Sequence, residues 1–382
     1  MTAGVVAALQ VGKAAIAVPL LRADLGLSLG EVAWVLSAYG LLGALCGMPV
    51  GLLVPRYGPK RAVVAGLLAV AAGSAIGAFA QGAGLLIASR GIESFGYLVI
   101  AVGVPTLLAR LTATRDRDLT FAVWGTFMPV GTAIMLVVGT ALASVGWRGL
   151  WLANALLAAG YVVVVLRTVP ADARPAARHR TAAVLRDAAA VLRTAGPILL
   201  ALAFAAYTFQ YFALSGFLPV LLVDRMGLPI ATAGLLSAGA VAMNAAGNVA
   251  AGALLRRGVP LWLMIASAFA GVALLSLGIF TASLPAFVVA VLAALSLGVS
   301  GLTPGSVFAG APRLAPSPAL VSATLGVIVQ ASNLGQLVGP SIVGAWVERA
   351  GWPAAPVLLV PAAAGGFAVA LGLRALMRKS RI

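Results

Sequence analysis

The chain has 382 residues, of which 62% are apolar and only 9% are charged, whereas soluble domains carry roughly 25% charged residues. A soluble protein could not bury so much apolar surface, and disordered chains are poor in apolar residues, so both classes are excluded. With one cysteine and one histidine, we expect no disulfide framework, metal site, cofactor or enzyme activity. The net charge of +16 raises the possibility of nucleic-acid binding, which the distribution of the charges decides.

Twelve apolar stretches follow one another along the chain, and each is long enough to cross a bilayer as a helix. The first six lie at about 3–21, 31–54, 62–80, 84–109, 119–144 and 149–167. The second six lie at about 195–223, 231–255, 260–280, 284–309, 319–346 and 353–377. Strands of a membrane barrel are near 10 residues long and alternate, unlike these runs. We therefore predict an all-α membrane protein with twelve transmembrane helices.

The basic residues are distributed unevenly between the two sides of the predicted helices. If the N-terminus is cytoplasmic, 19 of the 25 basic residues fall in the inner loops and the tail. The outer loops hold four, namely Arg22, Arg148, Arg225 and Arg349. This asymmetry predicts a multi-pass protein of the bacterial inner membrane with both termini in the cytoplasm. Because topology accounts for the net charge, we expect the partner to be a lipid bilayer and not a nucleic acid. We also expect a monomer, which suffices for this architecture.

A polar stretch separates the first six spans from the last six. We predict an N-terminal six-helix bundle at 1–168, a basic cytoplasmic linker at 169–194 and a C-terminal six-helix bundle at 195–382. The alanine and arginine content of the linker favours a helix that lies along the membrane surface.

The two halves of the chain repeat one another. Gly146-Trp147, which opens the sixth span, recurs as Gly351-Trp352 at the start of the twelfth. The motif Leu-Ser-Ala at 36–38 recurs at 236–238. A parallel repeat of two six-helix halves is typical of secondary transporters, in which the substrate site lies at the repeat interface near the bilayer midplane.

The loop after the second span reads Gly51-Leu-Leu-Val-Pro55-Arg56-Tyr57-Gly58-Pro59-Lys60-Arg61. It resembles the signature loop of the major facilitator superfamily, Gly-x-x-x-Asp-Arg-x-Gly-Arg-Lys/Arg. The matching residues, which the resemblance assigns to the gating loop, are Gly51, Arg56, Gly58, Lys60 and Arg61. Pro55 stands where the family usually has an aspartate that helps to latch the inward gate, so the resemblance implies altered gate control here.

The fourth span contains Ser89-Arg90-Gly91-Ile92-Glu93-Ser94-Phe95-Gly96, which is similar to the family's Arg-x-x-Gln/Glu-x-x-Gly element. Gly12-Lys13 and the stretch 19–26 look closest to the cyanate/nitroimidazole permease-like branch. The resemblance to the superfamily covers essentially the whole chain and implies the major facilitator fold, two pseudo-symmetric six-helix bundles. It names no substrate, because the superfamily transports sugars, drugs, anions and peptides.

Three charged residues, Lys13, Arg90 and Glu93, lie well inside predicted spans. An ionisable residue at the centre of a membrane helix costs at least about 2.5–3.5 kcal/mol and is functional by default. Arg90 and Glu93 share one face of the fourth helix, and the resemblance places the first and fourth helices at the central cavity, where Lys13 and Glu93 can meet.

We predict that Glu93 couples proton movement to transport; the alternative is a permanently ionised partner of Arg90. We predict that Lys13 captures an anionic substrate; the alternative is an internal ion pair with Glu93. Arg90 is a candidate for substrate binding or for bonds to backbone carbonyls between helices.

Polar amides and aromatic residues supply the other candidates, because the second half carries no charge at membrane depth. The further candidates for substrate binding are Tyr39, Trp124, Tyr207, Gln210, Tyr211, Asn244, Gln330 and Asn333. The alternative for the amides is hydrogen bonding between helices, worth about 0.6 kcal/mol each on average. The alternative for Tyr39 and Trp124 is packing at the cavity edge.

The sequence contains no Gly-x-x-x-x-Gly-Lys-Ser/Thr loop, which excludes ATP-driven transport by this chain alone. Two cations against one anion at membrane depth favour an anionic substrate. We therefore predict a secondary active transporter that moves a small anionic solute, carboxylate or inorganic, by alternating access coupled to protons. The alternative is a multidrug or metabolite efflux transporter on the same fold. A membrane enzyme or a channel is a remote alternative, because the sequence lacks acidic or histidine clusters at helix ends and a filter loop.

Overall fold

The computed structural model describes residues 1–27, 29–141, 145–172, 181–280 and 283–380, and these ranges are helical throughout, joined by short turns. The first half contains α1 (Thr2–Leu25), α2 (Leu29–Tyr57), α3 (Pro59–Ala78), α4 (Ala83–Leu111), α5 (Arg117–Gly125), α6 (Phe127–Ala141) and α7 (Gly146–Thr168). A short helix, α8 (Thr181–Arg193), follows. The second half contains α9 (Ala195–Asp224), α10 (Ile230–Arg256), α11 (Leu261–Phe280), α12 (Ala286–Ser300), α13 (Leu302–Leu314), α14 (Val321–Ala350) and α15 (Pro356–Ser380).

The prediction of twelve transmembrane helices in two pseudo-symmetric bundles is confirmed. Packing inside the halves repeats in corresponding pairs: α3 packs on α4 and α7, while α11 packs on α12 and α15. Likewise α1 packs on α6, and α9 packs on α14. Within the described residues, ten spans are long and apolar enough to cross a membrane on length and composition alone. The remaining two are α1 and the interrupted pair α5–α6.

The fifth and tenth spans are each broken into two helices, which the apolar runs did not indicate. The breaks fall after Gly125 and at Gly301. Each lies three or four residues before a proline, Pro129 or Pro304. Proline cannot donate the backbone hydrogen bond to the residue four positions earlier, so the helix is interrupted there. Broken membrane helices are tolerated where they line a cavity, and residues beside both breaks do so here.

The two halves approach each other closely on one face of the membrane, here called the linker face because it carries the turn between α2 and α3 and helix α8. Glycines permit this approach between α2 and α14: a methyl group on Gly47 would lie 2.6 Å from the carbonyl oxygen of Gly326, closer than real carbon atoms come. The hydroxyls of Thr106 in α4 and Ser322 in α14 also lie within hydrogen-bond distance, at 3.1 Å. The halves are therefore in contact on the linker face.

The predicted gating loop is a one-residue turn at Gly58, because Gly51 and Arg56 lie in α2 and Lys60 and Arg61 lie in α3. Gly58 has a φ of +93°, a conformation that other residues rarely adopt. The Arg56 guanidinium lies 3.5 Å from the Asp187 carboxylate of α8, and the Lys60 ammonium donates to the carbonyl of Leu166 at 2.9 Å. Helix α8, which forms the end of the predicted linker, also packs on α2, α9 and α14; residues 173–180 of the linker lie outside the described ranges.

Asp172, just after α7, caps the N-terminus of α3. Its two carboxylate oxygens accept the backbone N–H groups of Lys60 and Arg61 at 3.0 and 2.9 Å. A methyl group on Gly58 would collide with this carboxylate. An acidic residue thus caps α3 within the gating loop, although it comes from a distant part of the chain.

We expect Asp172→Ala to lower the free energy of unfolding by about 1 kcal/mol, because it leaves two N–H groups at a helix N-terminus without an acceptor. Thermal unfolding of the detergent-purified protein measures this effect. Asp116→Ala is the matched control, since Asp116 pairs with Arg115 on an exposed surface, where ion pairs contribute little. Equal melting temperatures for the two variants would contradict the assignment of Asp172 as the cap of α3.

On the opposite face, α1 and α7 are joined through Asp24, which lies beyond the end of the predicted first span. Its carboxylate pairs with Arg148 and accepts a hydrogen bond from the Trp147 indole at 2.9 Å. These two hydrogen bonds hold the pKa of Asp24 below its usual range. The tryptophan of the repeated Gly-Trp motif thus ties the start of α7 to the end of α1.

Candidate functional site

Lys13, Arg90 and Glu93 meet in the interior of the first half and form what we call the buried charge cluster. The Lys13 ammonium lies 2.5 Å from one carboxylate oxygen of Glu93, and the Arg90 guanidinium contacts the other oxygen. All three side chains are at most 1% exposed. The structure thus shows the ion pair that was the alternative for Lys13, and the cluster carries two cations against one anion.

Neutral polar side chains also surround the cluster. They were not among the candidates predicted from the sequence. Ser74 in α3 accepts a hydrogen bond from Lys13 and donates to Glu93 at 2.8 Å. Gln10 lies within hydrogen-bond distance of the Ser74 hydroxyl at 3.2 Å and donates to Asn154 in α7, also at 3.2 Å. Gln10 lies three residues before Lys13, so helical spacing was the signal that could have identified it.

Two tyrosines separate the cluster from the space between the halves. The guanidinium carbon of Arg90 lies 4.6 Å from the centre of the Tyr39 ring, and this ring lies 5.0 Å from that of Tyr97. The Tyr39 hydroxyl donates to the carbonyl of Ala7 at 2.9 Å, and Arg90 also donates to the carbonyl of Val35 at 3.2 Å. Arg90 therefore bonds to a backbone carbonyl of α2, the structural alternative considered above.

A cavity between the two halves is lined mainly by aromatic side chains. The rings are contributed by both halves: Tyr97, Phe127, Phe204, Tyr207, Tyr211 and Phe308 are among the lining residues. The cavity has a volume of about 40 Å³, enough for a few water molecules. The two halves must therefore move apart before a substrate can enter.

Three of the predicted binding residues, Tyr207, Tyr211 and Asn333, line this cavity. The amide nitrogen of Asn333 donates to the carbonyl of Val329 at 2.7 Å, while its amide oxygen is buried without a hydrogen-bond partner. An unpaired buried acceptor is costly, and this oxygen is packed against Gly43 of α2.

The other predicted binding residues lie outside the cavity lining. Gln210 donates to the carbonyl of Leu359 at 2.8 Å. Asn244 accepts from the Tyr207 hydroxyl at 3.1 Å. The side chain of Gln330 in α14 accepts the backbone N–H of Met48 in α2 at 3.0 Å, which joins the two halves. These amides serve as hydrogen bonds between helices, the alternative stated for them.

Trp124 packs at the edge of the cavity, which is the alternative stated for it. Its ring stacks on Phe127, with 4.3 Å between the ring centres, and it is fully buried. Phe127 lines the cavity, so Trp124 supports a lining ring from behind.

The sequence did not identify several of the lining rings, because it shows how deep a residue lies in the membrane but not which way its side chain points. Tyr97 lies two helical turns after Arg90, and Phe204 precedes Tyr207 and Tyr211 at spacings that place all three on one face of α9. These spacings were the available signal. Among the described residues, no group of three His, Cys, Asp or Glu side chains is placed to hold a metal ion.

Two helix bundles that enclose a cavity at their interface define a secondary transporter. The chain matches the model of the Major Facilitator Superfamily over residues 1–328 and belongs to this family. It is therefore a multi-pass membrane protein of a transporter family, and it matches less than half the length of several of its curated relatives.

Comparisons with known proteins agree with this assignment. The chain is 27% identical over 318 residues to the 3-(3-hydroxy-phenyl)propionate transporter of Escherichia coli, covering 82% of this chain and 77% of that protein. It is 31% identical over 163 residues to the methyl viologen resistance protein SmvA of Salmonella typhimurium, covering 41% of this chain and about a third (32%) of that protein. The crystal structure of the human organic anion transporter MFSD10 superposes with a TM-score of 0.78 over 97% of this chain and 98% of that one, at 17% identity. At this identity the likeness establishes the fold alone.

Proposed function

We propose that the protein moves a small aromatic carboxylate across the bacterial inner membrane by alternating access, coupled to protons. The observation that carries this proposal is the aromatic cavity between the halves, separated by only two tyrosine rings from a buried cluster with a surplus positive charge.

The lining favours a substrate with an aromatic ring. Tyr207 and Tyr211 lie with their ring centres 5.5 Å apart on one wall, and Tyr97 belongs to the other half. Aromatic pairs at such separations contribute about 0.5–1.5 kcal/mol beyond the burial of their area. An inorganic anion cannot use these rings, so among the predicted solutes the lining favours an aromatic carboxylate.

The charge of the cluster favours an anion. Lys13 and Arg90 share the single carboxylate of Glu93, which leaves one positive charge without a counterion. At an effective dielectric constant of 20, a unit charge attracts an opposite charge about 10 Å away with about 1.7 kcal/mol. The E. coli relative, named for the transport of a hydroxyphenyl propionate, supports the same substrate class.

The proposal also includes the orientation of the chain, its oligomeric state, the bounds of the bundles, the gate and the family branch. Both termini face the cytoplasm, the unit is a monomer, and the bundles span 1–168 and 195–382 around the linker at 169–194. The gating loop 51–61 controls the linker face, and the halves part on the opposite face to admit the substrate. The stretches 12–13 and 19–26 support membership of the cyanate/nitroimidazole permease-like branch.

A second candidate is the efflux of neutral or cationic aromatic compounds. The observation that favours it is the uncharged lining: the described residues around the cavity include rings, Met128 and Asn333 but no charged side chain. SmvA, a relative named for methyl viologen resistance, supports this candidate over part of the chain.

A thermal-shift experiment on the purified protein separates the two candidates. A ligand that binds only the folded state at 100 times its Kd adds about 2.7 kcal/mol to the free energy of unfolding. We expect 3-phenylpropionate to raise the melting temperature and 3-phenylpropionamide, its neutral match, to have no such effect. Equal stabilisation by the amide or by methyl viologen would reject the carboxylate and favour efflux.

A further inference from the structure

We propose that Lys13 is the group that takes up and releases the coupling proton, whereas Arg90 and Glu93 stay ionised throughout the transport cycle. This inference rests on the proposed function and specifies the proton-carrying atom, the Lys13 Nζ. It differs from the prediction made on sequence alone, which assigned the proton to Glu93.

The charge balance of the cluster points to Lys13. The Arg90 guanidinium cannot lose its proton in a protein. Glu93 contacts both cations and accepts the Ser74 hydroxyl at 2.8 Å, and all of these contacts favour its ionised form. Arg90 and Glu93 alone make a neutral pair, so the surplus charge resides on Lys13. Of the three groups, a buried lysine is the one that gives up its proton most readily.

The groups that face Lys13 from the surrounding helices leave this balance unchanged. Helix α4 contributes Arg90 and Glu93, and α3 contributes Ser74. Helix α7 contributes the Trp151 ring, whose centre lies 4.6 Å from the ammonium nitrogen. From α2 the cluster meets the carbonyl of Val35 and the ring of Tyr39, both uncharged, and the α6 residue packed against neighbouring Gly12 is the uncharged Met135. Within the described ranges Glu93 is the one acidic side chain that pairs with Lys13.

Both protonation states of Lys13 find hydrogen-bond partners in this site. The ammonium form donates to Glu93 and Ser74. After loss of the proton the neutral amine still donates to Glu93, and its free lone pair accepts the rotated Ser74 hydroxyl. A proton can therefore leave without stranding a buried polar group, provided that a water path opens during the cycle.

The binding of the proton and the binding of the substrate then strengthen each other. With Lys13 protonated the cluster carries one positive charge, and with Lys13 neutral it carries none. A carboxylate in the cavity stabilises the charged form, and by reciprocity the charged form raises the affinity for the carboxylate. Proton and anion are thus bound together, in a ratio of one to one, and travel in the same direction.

Titration calorimetry of 3-phenylpropionate in two buffers of different ionisation heat measures the protons taken up on binding. Above the titration range of Lys13, we expect the wild-type protein to take up close to one proton per substrate, with an affinity that falls tenfold per pH unit. In Lys13→Arg, a permanently charged variant, we expect binding with no proton uptake. Lys13→Met keeps the neutral Arg90–Glu93 pair, and we expect weaker binding that is independent of pH and takes up no proton.

Proton uptake in Lys13→Arg or Lys13→Met equal to that of the wild-type protein would overturn the inference and return the role to Glu93. Substrate binding by the wild-type protein with no proton uptake at any pH would overturn it as well, while the carboxylate proposal would stand. Absence of carboxylate binding at every pH would instead reject the proposed function and the inference together. The two variants are independent tests, so the failure of one to fold leaves the other.

Discussion

Replacing Glu93 by glutamine is expected to lower the free energy of unfolding by about 3–5 kcal/mol. The variant leaves Lys13 and Arg90 buried beside each other with no counterion, and removing one partner from a buried ion pair strands an uncompensated charge. Thermal unfolding in detergent measures the loss.

The matched control is Lys13→Met, which removes the other end of the same contact. It leaves the balanced Arg90–Glu93 pair and fills the space with an apolar side chain of similar length, so the melting temperature should stay the same or rise. Destabilisation of the two variants by the same amount would show that the cluster has no surplus positive charge.

Replacing Gly47 by leucine is expected to prevent closure of the linker face while leaving each bundle folded. A methyl group at this position already comes within 2.6 Å of the Gly326 carbonyl oxygen in the other half. Overpacking of this kind costs about 1–3 kcal/mol, which reduces the equilibrium constant for closure of the linker face by about 5- to 150-fold. The initial rate of substrate uptake into proteoliposomes should fall.

Gly91→Leu is the control for this change, because a methyl group added at Gly91 of α4 meets no atom within 4 Å. Both variants place the same residue in a membrane helix, and only Gly47 faces the other half. Labelling of Ser322→Cys by a membrane-impermeant thiol reagent, in a Cys46→Ala background, should increase in Gly47→Leu alone. Unchanged labelling and transport in Gly47→Leu would show that α2 and α14 do not form the gate.

Much of the fold could be predicted from the sequence, because apolar runs report membrane depth directly. The twelve spans and the membership of the superfamily are confirmed. The breaks in the fifth and tenth spans were missed because apolarity continues through both sites, and because prolines such as Pro105 and Pro340 lie within helices that stay unbroken. The acidic partners of the gating loop were also missed: Asp172 and Asp187 lie more than 100 residues after that loop, and no local pattern links them to it.

The candidate site was only partly predictable, for a physical reason. Charges are so costly in a membrane that Lys13, Arg90 and Glu93 stood out and were expected to meet, and the structure places them together. Neutral side chains carry no such signal. Asn333 faces the cavity whereas Gln210 bonds to a backbone carbonyl, and the sequence shows both simply as amides at membrane depth. Which side of a helix faces the cavity depends on packing between helices that are distant in sequence.

The most direct test of the proposed function is uptake of labelled 3-phenylpropionate into proteoliposomes that contain the purified protein, with an acidic exterior and a neutral interior. We expect the substrate to accumulate above its external concentration, and this accumulation to collapse when a protonophore dissipates the gradient. Simple equilibration regardless of the gradient, or equal accumulation of 3-phenylpropionamide, would contradict it.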